Sequence, residues 1–145
     1  MPKKKTDGED LALAVHELLR QVRFDNVETV CEWGLTRTEC HTLEVTALDG
    51  PLSVNDVAAR LRLNKSTASR VVQSLEAKKL VQREGSAEDR RSVRISATRE
   101  GLALWRRIVS ATGSTYDDVL ADCTKTEKKI VTRVLRAIAA RVGSS

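Results

Sequence analysis

Between Asn64 and Leu75 the chain reads Asn-Lys-Ser-Thr-Ala-Ser-Arg-Val-Val-Gln-Ser-Leu, and its polar residues are of the types that meet phosphates and base edges. Ala68, Val71, Val72 and Leu75 recur at i, i+3, i+4 and i+7, one apolar stripe on a helix. Packing that stripe inward leaves Lys65, Ser66, Thr67, Ser69, Arg70 and Gln73 outside, all donors or cations and none acidic. An arginine can grip guanine and a glutamine adenine, each with two bonds, so Arg70 and Gln73 are the candidate base readers. Lys65 suits a phosphate. A plain solvated helix face is the alternative, and the neighbouring residues weigh against it.

Upstream, Ser53-Val54-Asn55-Asp56 has the pattern of a capped helix start, with Val54, Val57, Ala58 and Leu61 as its apolar stripe. Arg62-Leu63-Asn64 can turn the chain, and Asn64 can cap the next helix, giving two short helices in succession. Downstream, Leu80 to Glu84 and Ser92 to Ser96 carry apolar residues two apart, Val81 in one and Val93 with Ile95 in the other, and read as strands. The polar loop between them ends in Asp89-Arg90-Arg91. Arginine is drawn into a narrow minor groove, and Asp89 can hold one guanidinium in place. Arg94, on the second strand, is a further candidate for DNA contact, with a solvated face as its alternative. Ser53, at a helix N-terminus, can bind phosphate through its amide or serve only as a cap.

These residues carry a resemblance. Ser53 to Gly101 is similar to the winged helix-turn-helix of the MarR family of bacterial transcription regulators. The matching stretches are 52–58, 64–70, 75–81 and 89–101. Lys79 stands where the family usually has Gly, and Ala97 where it usually has Leu. The resemblance implies a mainly α protein with a small β-hairpin wing, flanked by N- and C-terminal dimerisation helices. It implies a homodimer on double-stranded DNA at a palindromic operator, most often as a repressor relieved by a small-molecule effector. The Asp-x-Arg spacing of Asp89 and Arg91 is also the family's.

The 145 residues, 41% of them apolar, fit a single domain with a real core. A net charge of +5 favours an acidic partner. No stretch is apolar for long enough to span a bilayer, so no membrane association is expected. The lysines after Met1-Pro2 precede no apolar core, unlike a secretory signal, and a cytoplasmic location is expected. No Gly-rich phosphate loop, nucleophile elbow or triad surrounds the two histidines, so neither an enzyme nor a cofactor is expected.

Helical spacing runs from about Asp10 to Cys31 (Leu11, Val15, Leu18, Leu19, Val22, Val27, Val30), and Thr36-Arg37-Thr38-Glu39 is a capping box for a second helix to about Leu48. Thr98 can cap a long helix bearing Leu102, Trp105, Ile108, Val109, Tyr116, Val119 and Leu120. Thr124 and Glu127 box the last one, striped by Ile130, Val131, Val134, Leu135, Ile138 and Val142. The chain therefore reads as one domain: residues 51–97 a winged DNA-binding region, 10–48 and 98–142 helical dimerisation and support. Terminal helices with apolar faces must bury them, and a second copy is the simplest partner.

Effector chemistry is least defined. Trp33, Arg37, His41 and Trp105 are candidate pocket neighbours by resemblance. Cys31, Cys40 and Cys123 are too few and too scattered for a disulfide framework. They leave open a thiol- or metal-responsive regulator of the same fold, against which stands burial of Cys40 beside Leu43 and Ala47. Adjacent Cys40 and His41 point about 100° apart on a helix, so no metal site is expected. An architectural protein coating DNA without an operator is the remaining alternative.

Overall fold

The computed structural model describes residues 5–24, 32–85 and 92–143. The elements are α1 (Asp7–Phe24), α2 (Arg37–Asp49), α3 (Val54–Leu61), α4 (Lys65–Ala77), β1 (Val81–Gly85), β2 (Val93–Ala97), α5 (Arg99–Val119) and α6 (Lys125–Gly143). The mainly helical chain with one antiparallel hairpin is the architecture expected. Side chains capping the orphan amides fix where most helices begin. Thr36 with Glu39 and Ser53 with Asp56 form the reciprocal boxes read from the sequence, and so do Thr124 and Glu127. Asn64 accepts from the Thr67 amide and Thr98 from that of Gly101. α1 starts at Asp7, ahead of the expected Asp10, because Thr6 and Glu9 make a further reciprocal cap, with bonds of 2.7 and 3.2 Å. The expected continuation of this helix to Cys31 lies outside the described residues.

Two helices end in the same unusual way. At the end of α3 the Leu63 amide donates to the Ala58 carbonyl and the Arg62 amide to Ala59; at the end of α4, Leu80 donates to Leu75 and Lys79 to Glu76. This double closure needs a left-handed residue, normally glycine. Here Arg62 (φ 53°) and Lys79 (φ 60°) fill the role, each at a cost of about 1 kcal/mol for its Cβ.

The hairpin pairs Val81 with Ala97 through to Gly85 with Val93, each strand starting one residue later than expected. Leu80 is excluded because its amide closes the end of α4. Val93 lies on the same face as Ile95, as expected, but it pairs with Gly85 at the loop end of the hairpin, beyond the core, and stays exposed while Ile95 is buried. Leu52 adds a short bridge to Ile95, with bonds of 2.9 and 2.7 Å, that the spacing did not reveal.

The core comprises Leu35, Leu43, Leu52, Val57, Ala58, Ala68, Val72, Leu75, Val81 and Ile95, with Trp105 and Ile108 of α5 packed against it. α2 packs on α3, α4, α5 and β2, and so belongs to the winged unit itself. At Gly101 a Cβ would lie 2.0 Å from the Leu80 carbonyl oxygen, so only glycine lets the start of α5 sit against the end of α4. α6 buries no residue; its last turn meets the winged unit where Arg62 donates to the Val142 carbonyl at 3.3 Å.

Candidate nucleic-acid interface

α4 presents the predicted face. Ala68, Val72 and Leu75 are buried, while Lys65, Ser66, Arg70 and Gln73 are exposed and Thr67 and Ser69 half-buried. Asn64 is committed to structure: its side-chain oxygen accepts from the Thr67 amide at 2.7 Å and from the Ser66 hydroxyl at 2.8 Å. That cap brings the first turn of α4 into register and turns Ser66 back toward Asn64. Arg70 and Gln73 lie further along, three residues apart on one exposed side.

Ser53 is likewise engaged, since its hydroxyl donates to Asp56 at 2.8 Å and accepts from the Asp56 amide at 3.0 Å. The bonds from the Ser53 amide and hydroxyl hold the Asp56 carboxyl below its usual value, helped by the charges of Arg94 and Arg60. Arg94 approaches Asp56 at 3.4 Å. The start of α3, Lys65 and the strand residues Ser92 to Arg94 enclose an open cleft of about 480 Å³. Asn55, exposed on its rim, was not singled out from the sequence; its position in the first turn of α3 is the signal that could have found it. Asp89, Arg90 and Arg91 lie outside the described residues.

The remaining candidates lie on α2, on α5 and in the turns beside them. Trp33 lies under the Arg107 guanidinium, 5.0 Å from the ring centroid, whereas Trp105 packs on the core. His41 is exposed and faces Glu44 at 3.3 Å, and Arg37 is exposed on the first turn of α2. Cys40 is half-buried against the core and Cys123 half-buried before α6; Cys31 lies outside the described residues. No cluster of three metal-ligating side chains occurs among the described residues.

A family profile described as the MarR family matches residues 33–92, from the turn before α2 to the start of β2. Over this stretch the chain is similar to the MarR family. Its MarR-type core is similar to the transcriptional repressor MdtR of Bacillus subtilis, 27% identical over 92 residues, which are 63% of this chain and 59% of MdtR. A transcriptional regulator of Mycobacterium leprae is 32% identical over 95 residues, 66% of this chain and 64% of that protein. The matched stretch thus spans less than two thirds of either relative. The MarR fold extends over nearly the whole chain. A structure of an S. aureus MepR variant superposes with a TM-score of 0.71 at 21% identity, covering 97% of this chain and 99% of that one. Another MepR variant, solved bound to an oligodeoxyribonucleotide, gives 0.59 at 22% identity over 96% and 99%. The sequence expectation of family and fold agrees with these matches.

Proposed function

We propose that this chain is a homodimeric, sequence-specific regulator of transcription that binds a palindromic operator in double-stranded DNA, acting in the cytoplasm as a repressor relieved by a small ligand. The observation that carries the reading is the outer face of α4, with Lys65, Arg70 and Gln73 exposed, no acid along the helix before Glu76, and a buried stripe behind it. Lys65 neutralises phosphate, Arg70 and Gln73 read base edges in the major groove, and Arg91 of the wing reaches the minor groove. Arg94, beside the cleft, meets the backbone between those grooves.

Dimerisation follows from the terminal helices. α1 and α6 carry apolar faces that the chain itself leaves open: Leu18 is 55% exposed and Leu135 49%. α1 opens with Asp7, Glu9 and Asp10, and α6 carries Lys125, Lys128, Lys129 and Arg133, so opposite charges frame two apolar surfaces of compatible kind. Two-fold pairing offers two α4 helices to major grooves about 34 Å apart on one face of DNA. MdtR is a repressor by name and a MepR variant is known bound to DNA, which supports this direction for the chain. No helix among the described residues is long and apolar enough to cross a membrane.

Selection of genomic fragments by the purified protein at two salt concentrations tests the reading. A palindromic motif with half-sites about one helical turn apart is expected, bound roughly a thousandfold more tightly than unrelated DNA and more weakly as salt rises. Arg70→Ala should weaken binding to the motif about tenfold or more. Uniform recovery without a motif would make the chain an architectural DNA-binding protein instead.

A further inference from the structure

Glu39 is a buried carboxylate, 4% exposed, and it lies away from the DNA-facing surface. Its first duty is local, closing the start of α2 by accepting from the Thr36 amide at 2.8 Å. Its other partners are far away in sequence, one in the last turn of α4 and one capping its end: the Ser74 hydroxyl donates to Oε1, and the Lys78 ammonium to Oε2 at 2.8 Å. The same ammonium donates to the Gly34 carbonyl at 2.9 Å, in the turn where Gly34 takes φ 75°. Ser74 and Lys78 stand one turn apart, so one face of α4 is gripped at two successive levels. Burial alone would push the Glu39 carboxyl up, but the bonds from Lys78, Ser74 and Thr36 outweigh it and hold the group ionised.

Ala68, Val72 and Leu75 hold α4 to the core by contacts that are strong but non-directional. Such contacts tolerate a small rotation of a helix about its axis. Bonds to a buried carboxylate do not, because they weaken steeply away from their preferred angle. With Glu39 buried and Lys78 partly exposed, the ion pair contributes little net stability, since desolvation of the carboxylate offsets its attraction; the best attested use of such a pair is to select one arrangement among several. Gln73 immediately precedes Ser74, so whatever fixes the rotation of Ser74 and Lys78 also fixes where Gln73 and Arg70 point.

Resting on the DNA-binding reading of α4, we propose that Glu39, through Ser74 and Lys78, is a positioning residue that sets the rotation of the recognition helix and thereby its sequence discrimination. Loss of the charge pair relaxes discrimination while leaving phosphate attraction intact.

Glu39→Gln tests this, because glutamine keeps an oxygen for the Thr36 amide but no charge for Lys78; Lys78→Met removes the pair from the other side. Each folded variant, checked by circular dichroism, is titrated with the selected operator duplex and with an unrelated duplex of equal length at the same salt. The ratio of the two affinities should fall about tenfold, comparable to one lost base contact, with the unrelated duplex and the salt slope unchanged. The double variant should be no worse than either single one. Equal losses on both duplexes, or an unchanged ratio in both variants, would reduce Glu39 to a structural cap and overturn the proposal. A wild-type protein that prefers no DNA sequence would overturn the DNA-binding reading and the proposal together.

Discussion

The winged unit and the terminal helices are built from similar apolar stripes, yet they meet opposite fates. In α4 the stripe disappears into the core: Ala68, Val72 and Leu75 are enclosed by α2, α3 and the hairpin. In α6 a stripe of the same kind buries nothing completely, and at the end of α5 Val119 is 74% exposed. Periodicity thus declares that a face is apolar without saying what covers it. The first region carries its own core; the second leaves its apolar faces open, and under the proposed function another copy of the chain covers them.

Substitutions in each region test that contrast. The largest expected effect is on folding: Leu75→Ala should cost about 2 to 5 kcal/mol, read from urea denaturation, because it leaves a cavity where the core cannot collapse freely. A loss below 1 kcal/mol would mean that the winged unit is less closely packed than its burial implies. Leu135→Glu places a charge on the open face of α6 and should weaken self-association by about a hundredfold or more, measured by sedimentation, while the winged unit stays folded. Retention of the dimer at low micromolar concentration would move the interface elsewhere. The smallest effect concerns the helix end on which α5 rests. Lys79→Gly should raise stability by about 0.5 to 1 kcal/mol, since glycine takes φ 60° without the clash a Cβ makes. A destabilised variant would show that the lysine side chain contributes more than its backbone conformation costs.

Local signals carried most of the fold. The boxes at Thr36, Ser53 and Thr124 place their helices because the partners stand three residues apart, and Thr6 with Glu9 has the same spacing. Likewise the outer face of α4 was legible because a helix sorts its residues by spacing alone. What escaped was non-local. Glu39 reads as a cap and nothing more until the fold brings Ser74 and Lys78, 35 and 39 positions away, onto its other lone pairs. The bridge of Leu52 to Ile95 spans 43 positions, and no periodicity relates them. The four candidate pocket residues share no spacing rule; in the fold Trp33 lies beneath Arg107 and Trp105 against the core.

α5 is continuous for 21 residues, about 30 Å, and at Gly101 its backbone rests on the Leu80 carbonyl, just beyond the end of the helix that the proposed function turns toward DNA. Mechanically it is a lever with its fulcrum beside the reading head. A tilt of about 2° displaces the far end by about 1 Å. Run in the other direction, a modest push at the distal tip becomes a fine angular adjustment at Gly101. The missing side chain there thus sets how closely the two arms of the lever are geared, and any larger residue would lengthen the linkage and loosen it.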